Sequence, residues 1–236
     1  MKKTVFTLNV NGYSPEITEM TFPLLKFWAN KIGADFYIIK DRKFPNWPVT
    51  YEKLQIYELG QEMQNDWNIY VDADAVVHPE AFDWTMLVKK DTIAHNDVDM
   101  AFFRWRYNKY FLRDGRNWGA ANWFTMASDW CIDVWKPLEM TPNEAFENIF
   151  PTLLELNGNV TRDHLIDDYA LSYNIAKYGI KATTLVRLQE ELKLPQKVGF
   201  YWHMYNISEA DKITQMREII GKLNLPDSIR YYGVKR

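Results

Sequence analysis

Two acidic residues one position apart, in Asp72-Ala73-Asp74, directly follow the apolar run Trp67-Asn68-Ile69-Tyr70-Val71. Carboxylates this close repel one another, and burying them at a strand end is costly unless a cation is present. Hard oxygen ligands of this kind suit Mg²⁺ or Mn²⁺, which complete their shells with substrate phosphates. The competing reading is a solvated turn that caps a short helix before His78-Pro79-Glu80. By itself the triplet is a weak signal: the chain has 17 aspartates, enough to produce about one such spacing by chance. Asp97-Val98-Asp99 is indeed a second copy. That copy precedes an apolar stretch instead of following one, which marks its acids as solvated loop charges.

The elements around the first copy give it a place. Thr4 to Val10 is a compact β-rich run stopped by Asn11-Gly12, hence a strand and a loop. Ser14-Pro15-Glu16 opens a helix whose apolar positions Met20, Leu24, Phe27 and Trp28 keep helical spacing until Gly33. Phe36 to Ile39 is a second strand, Tyr51 to Met63 a second helix, and Trp67 to Val71 a third strand. Short connections between these units predict right-handed crossovers and parallel pairing. Ligands of such sheets bind beyond the carboxyl ends of the strands, where Asn11 and Asp72 both fall.

The second half is less regular. Strands are expected at Asp99 to Phe103, Ala121 to Met126, Ile180 to Val186 and Val198 to Trp202. Helices are expected from about Asp129, from Asp167 to Lys177 with a stop at Gly179, and from Ser208 to Leu223 with Ser208 as cap.

Length and composition bound the function. A chain of 236 residues with 47% hydrophobic and 25% charged residues fits one α/β domain with a sizeable core. A net charge of -3 and a pI near 5.9 give no global attraction to nucleic acid or to an anionic membrane. The single cysteine, Cys131, excludes an intrachain disulfide and favours a reducing, cytoplasmic setting. Behind Met1-Lys2-Lys3 the apolar run is too short and polar for a signal peptide, and no stretch has the length of a transmembrane helix. Aromatic residues make up 16%. Their rings fill cores, and they also stack on sugars and nucleobases. The sequence carries no indication of oligomeric state.

The run from Asn68 to Val77, with its apolar strand and Asp-x-Asp, resembles the metal-binding segment of GT-A glycosyltransferases, enzymes that use nucleotide-sugars. The resemblance implies a Rossmann-like single domain with a mostly parallel mixed sheet flanked by helices. It implies a nucleotide-binding half over about 1–100, an acceptor half over about 101–206 and a C-terminal helix over about 208–223. After the Asp-x-Asp it implies apolar residues and a short helix.

Further positions extend it. Lys53, in Tyr51-Glu52-Lys53-Leu54, matches a basic residue near the nucleotide diphosphate. Asp167-Asp168-Tyr169-Ala170-Leu171-Ser172 resembles the acidic pair that opens a helix in many members, and in inverting members the second acid, here Asp168, is the general base. A carboxylate at a helix N-terminus is also an ordinary cap, held ionised by the dipole. His203, in Phe200-Tyr201-Trp202-His203-Met204-Tyr205-Asn206, matches an additional metal ligand, and an imidazole beside two carboxylates suits Mn²⁺. The resemblance places Thr7, Asn9, Asn11 and Tyr13 against base and ribose, with Tyr13 stacked on a uracil-type ring. Asp72, Ala73 and Asp74 then face the donor, and the ion held by Asp72 and Asp74 meets its diphosphate. Gly119, Ala120 and Asn122 fall in a small-residue loop lining the sugar pocket, where Asn122 could bond sugar hydroxyls. Two departures stand out: the late His-x-x-Asn lacks the Gly and Lys-Pro of some retaining families, and Asp-Asp replaces Glu-Asp. Retention and inversion both stay open, and in a retaining enzyme Asp168 or Asp167 would position the donor instead.

The function implied is metal-dependent transfer of a sugar from a nucleoside-diphosphate sugar, a UDP-sugar first, to a hydroxyl of a glycan or small-molecule acceptor. Two rivals remain at this point. A Mg²⁺-dependent phosphatase of the haloacid-dehalogenase type also places Asp-x-Asp after an apolar strand, although normally the first strand of the fold. A non-catalytic carbohydrate-binding protein would use the aromatic residues and leave the ordered acids and Lys53 unexplained.

Overall fold

A computed structural model of the chain describes residues 1–96, 123–158, 160–194, 201–204, 207–227 and 229. The strands are β1 Lys3–Leu8, β2 Asp35–Ile39, β3 Trp67–Val71, β4 Ala75–Val77, β5 Thr92–His95, β6 Phe124–Ser128, β7 Lys181–Thr184 and β8 Tyr201–His203. The α-helices are α1 Pro15–Lys31, α2 Ile56–Glu62, α3 Pro142–Phe146, α4 Leu153–Asn157, α5 Arg162–Tyr178, α6 Leu185–Glu191 and α7 Glu209–Lys222. Short 3-10 segments cover Val49–Gln55, Trp84–Met86 and Asp129–Trp135.

Six strands form one sheet in the order β2-β1-β3-β6-β5-β7, and β4 pairs with β8 in a separate ribbon. β1 runs parallel to β2 and β3, and β5 parallel to β7; β6 is antiparallel to both β3 and β5. The sheet is therefore α/β, mixed and mainly parallel, as the sequence suggests.

Alternation along β1 and β3 sends Val5 and Ile69 to one face and Phe6 and Tyr70 to the other. The first face packs on Leu25 and Trp28 of α1 and on Trp84. The second packs on Tyr51 and Leu54 and on Leu165, Tyr169 and Leu171 of α5. A third apolar cluster joins Ile17 and Leu24 of α1, Val76 of β4, Met204 and Met216 of α7. It docks the β4–β8 ribbon and the C-terminal helix against α1, and so brings late sequence to the end of β3.

Several boundaries differ from the sequence reading for identifiable reasons. The helix expected over Tyr51 to Met63 begins as a 3-10 segment and becomes α-helical only at Ile56. The apolar residues after Asp74 form β4 rather than leading at once into a helix, because β8 supplies a backbone partner. The run expected as a strand to Val186 stops at Thr184, whose hydroxyl accepts from the Arg187 amide and caps α6. α5 begins at Arg162, five residues before Asp167, with Thr161 as its N-cap, and ends at Gly179, whose φ of 62° suits glycine. The acid pair thus lies in the second turn and does not open the helix, so neither capping nor the dipole argument applies to it. The strand expected at Asp99 to Phe103, the second Asp-x-Asp, and Gly119, Ala120 and Asn122 lie outside the described residues.

Candidate active site

The end of β3 is a tight, buried turn. The Asp72 amide donates to Trp123 O at 2.8 Å and the Ala75 amide returns to Asp72 O at 3.1 Å. From α1, the Thr21 hydroxyl donates to Ala73 O at 2.6 Å. The backbone of the triplet is therefore held from both sides, and its two side chains project toward β8. In the β4–β8 ribbon Ala75 stands opposite His203. That register delivers the imidazole to the acids: Nε2 lies 3.5 Å from Asp72 Oδ2 and 3.3 Å from Asp74 Oδ1. Trp123 stacks on the ring at 5.4 Å between centroids and 9° between planes.

These three side chains fit a divalent cation. One ligand atom from each can be chosen so that all lie within 4.8 Å of one another. The two histidine–carboxylate distances are close to the ~3 Å edge of an octahedron with bonds of about 2.1 Å. Burial pushes the Asp72 carboxyl up, but Lys53 and His203 more than reverse this and hold it below its ordinary value. Burial acts on Asp74 in the same sense, and His203 and Lys212 hold it well below the carboxylate range. For His203, burial pulls the imidazole down while bonds to both acids push it up to about 9. Without an ion, a positive imidazolium sits between two negative acids.

Lys53 takes a different position from a surface lysine. Only 1% exposed, its ammonium reaches Asp167 Oδ2 and lies 3.5 Å from Asp72 Oδ1. Burial lowers its pKa, but the two carboxylates outweigh that and raise it. It links Asp72 to Asp167 of α5. Asp167 is pushed above its ordinary value by burial, an effect Lys53 partly offsets. Asp168 is also buried, at 1% exposure.

At the end of β1, Thr7 Oγ1 and Asn9 Oδ1 are buried with no hydrogen-bond partner among the described residues. Asn11 follows in the left-handed region at φ 60°, a conformation asparagine tolerates better than most. Tyr13 directs its hydroxyl to Asp74 Oδ2 at 3.2 Å.

Three participants were absent from the sequence reading. Tyr70 donates to Asp72 Oδ1 at 2.5 Å; its position two residues earlier on the same strand face is a signal that alternation could have supplied. Lys212 of α7 contacts Asp74 Oδ2, and Trp123 covers His203. No local pattern marks these last two, since both arrive by tertiary packing.

No family model matches the chain, and no curated protein sequence matches it. Solved structures do. A glycosyltransferase involved in the glycosylation of the major capsid of PBCV-1 is 12% identical with a TM-score of 0.52, over 92% of this chain and 100% of that one. The galactosyltransferase LgtC, solved with donor and acceptor sugar analogs, is 12% identical with a TM-score of 0.49, over 97% and 99%. The fold is the GT-A fold of glycosyltransferases. No helix among the described residues is long and apolar enough to cross a membrane.

Proposed function

We propose that this protein is a metal-dependent glycosyltransferase that moves a sugar from a nucleoside-diphosphate sugar, with UDP as the first candidate nucleotide, to a hydroxyl of a glycan or small-molecule acceptor. The observation that carries the reading is the Asp72–Asp74–His203 cluster at the carboxyl end of β3. When bound there, Mn²⁺ or Mg²⁺ would neutralise charge developing on the nucleoside-diphosphate leaving group. Asp72, Asp74 and His203 hold the ion, and Ala73 keeps the turn between them narrow. Thr7, Asn9, Asn11 and Tyr13 meet the base and ribose, a role supported by the unsatisfied buried oxygens of Thr7 and Asn9. Gly119, Ala120 and Asn122 are assigned to the sugar pocket on the resemblance alone.

Lys53 acts behind the acids, since it is buried against Asp72 and Asp167. Asp167 is committed to that lysine. Asp168 is the acid we assign to the acceptor hydroxyl, where a carboxylate takes the proton as the glycosidic bond forms. The phosphatase reading loses its footing, because its motif ends a first strand, whereas here the acids follow the third strand of a GT-A sheet.

Thermal denaturation with nucleotide and metal tests the proposal. UDP with Mn²⁺ or Mg²⁺ should stabilise the protein by ~2.7 kcal/mol at about 100 times the dissociation constant, or roughly 5–10 °C for a chain of this size. UDP without metal should give little. A complete absence of metal-dependent shifts with every nucleoside diphosphate would sink the proposal. Release of phosphate from simple phosphomonoesters would favour the phosphatase, and a shift with free sugars alone the binding protein.

A further inference from the structure

The two carboxylates of the cluster share an arrangement that their sequence spacing does not require. Each has one oxygen turned toward His203 and the other taken by the protein. Asp72 Oδ2 faces His203 Nε2, while its Oδ1 accepts from Tyr70 Oη at 2.5 Å and lies 3.5 Å from Lys53 Nζ. Asp74 Oδ1 faces the same nitrogen, while its Oδ2 accepts from Tyr13 Oη at 3.2 Å and contacts Lys212 Nζ. A phenol and an ammonium therefore hold the outer oxygen of each acid.

The phenols and the ammoniums contribute differently. An ammonium on a four-carbon stem attracts either carboxylate oxygen with little directional preference. A phenol donates one hydrogen from a rigid ring and so selects one oxygen. The Tyr70 ring is 1% exposed, fixed in β3, and has Lys53 Nζ over its face at 4.3 Å from the centroid. Tyr13 reaches Asp74 from the loop after β1.

We propose that Tyr70 and Tyr13 are positioning residues of the cation site, whose hydroxyls occupy the outer oxygens of Asp72 and Asp74 so that each acid offers a divalent ion one oxygen. The inference rests on the metal-dependent reading above and deepens it. Single-oxygen ligation by two acids and one imidazole fills three of the about six positions that Mg²⁺ or Mn²⁺ requires, leaving the rest for phosphate oxygens and water. Two acids free to turn could each bind through both oxygens and take two of those three positions. Ca²⁺ accepts such bidentate carboxylates readily, whereas Mg²⁺ does not. The tyrosines thus favour the smaller ion and keep room for the donor.

The test is titration of the full chain with Mn²⁺ and, separately, Ca²⁺, for the parent protein, Tyr70→Phe, Tyr13→Phe and Tyr51→Phe. Tyr51 is a buried phenol whose oxygen accepts from the Leu138 amide, and it serves as the control for loss of a hydroxyl elsewhere. Tyr70→Phe should weaken Mn²⁺ binding about 10- to 100-fold, the usual effect of removing a partner that orients a ligand. Tyr13→Phe should act in the same direction. Ca²⁺ should lose less, so the Ca²⁺-to-Mn²⁺ affinity ratio rises in both variants and stays at the parent value in Tyr51→Phe. Unchanged Mn²⁺ affinity in both site variants would overturn the positioning role, and so would an equal loss of both ions. If the parent protein itself binds neither ion, the metal-dependent reading fails first and the positioning role falls with it.

Discussion

Asp72 and Asp74 stand in a turn between two strands and face a histidine, with Lys53 and Lys212 behind them. Asp167 and Asp168 are adjacent in the second turn of α5, and Asp167 pairs with Lys53. Both pairs are acidic and largely buried, yet Asp167 is pushed in the opposite sense from Asp72 and Asp74. Burial alone would raise every one of these groups. Around the first pair, cations reverse that effect and keep both carboxyls ionised. At Asp167 burial wins, with Lys53 only reducing it. Residue type therefore does not define a cation site. The difference lies in how many positive groups converge and whether ligand atoms are turned to a common point.

The sharpest way to separate the pairs is to neutralise one member of each. Asp74→Asn should lower sugar transfer by about 10²–10³-fold, comparable to removing a key electrostatic group, and should remove Mn²⁺ binding while the fold persists. Asp168→Asn should also lower transfer, within the ~10²–10⁴ range of a lost general base, but leave Mn²⁺ affinity within about threefold. The measurements are turnover and Mn²⁺ titration on the same preparations. Equal loss of Mn²⁺ binding in both variants would erase the distinction.

The two lysines provide the next contrast. Lys53→Met strands buried carboxylates without their cation and should destabilise the protein by about 3–5 kcal/mol. Lys212 has a side chain 17% exposed on the outer helix, and Asp74 keeps His203 when it is lost. Lys212→Met should therefore cost no more than about 1 kcal/mol, as for partly exposed pairs. Denaturant unfolding of both variants without metal decides this. Similar losses would mean that Lys53 is not the shared structural cation.

A further effect is graded with pH. The folded-state value of His203, about 9, lies above its ordinary 6.5. Its stabilising contribution to the metal-free fold is complete below about pH 6.5 and is lost as pH rises through 9. A metal ligand must be neutral, so ion binding at pH 7 to 9 displaces that proton. Apparent Mn²⁺ affinity should rise by about tenfold per pH unit from 6.5 to 8.5, while metal-free stability falls over the same interval. Mn²⁺ titrations and melting curves with chelator at three pH values measure both trends. An affinity that does not change with pH would take His203 out of the ligand set.

The local patterns were legible where a short segment carries its own physics. β3 is legible as Trp67 to Val71 because four of its five residues are large and apolar or aromatic, and α1 because Pro15 and Gly33 bracket a helical period. The C-terminal helix followed from Ser208, which accepts from the Asp211 amide as its cap. The acids at the end of β3 came from the same local grammar. β5 is not legible in the sequence: four residues, Thr92–His95, carry too little periodicity, and neighbours on both edges define the strand. The start of α5 is not legible in the sequence because the Thr161 cap precedes a polar first turn, Arg162-Asp163-His164, with no apolar repeat to announce it.

For the site, the sequence by itself determined the chemistry on offer: two hard oxygen ligands at a strand end, a histidine far along the chain and an acid pair between them. It also sufficed for the class of sheet, since alternation and turn residues act over a few positions. Only the tertiary structure decided which of these groups meet. His203 joins the acids through its register opposite Ala75, Lys53 turns inward because Asp167 and Asp72 are there to neutralise it, and Tyr70 and Tyr13 divide the carboxylate oxygens between protein and ion site. The physical reason is range. Hydrophobic periodicity and capping are set by neighbours in sequence, whereas burial, charge pairing and ligand geometry depend on segments brought together by the whole fold.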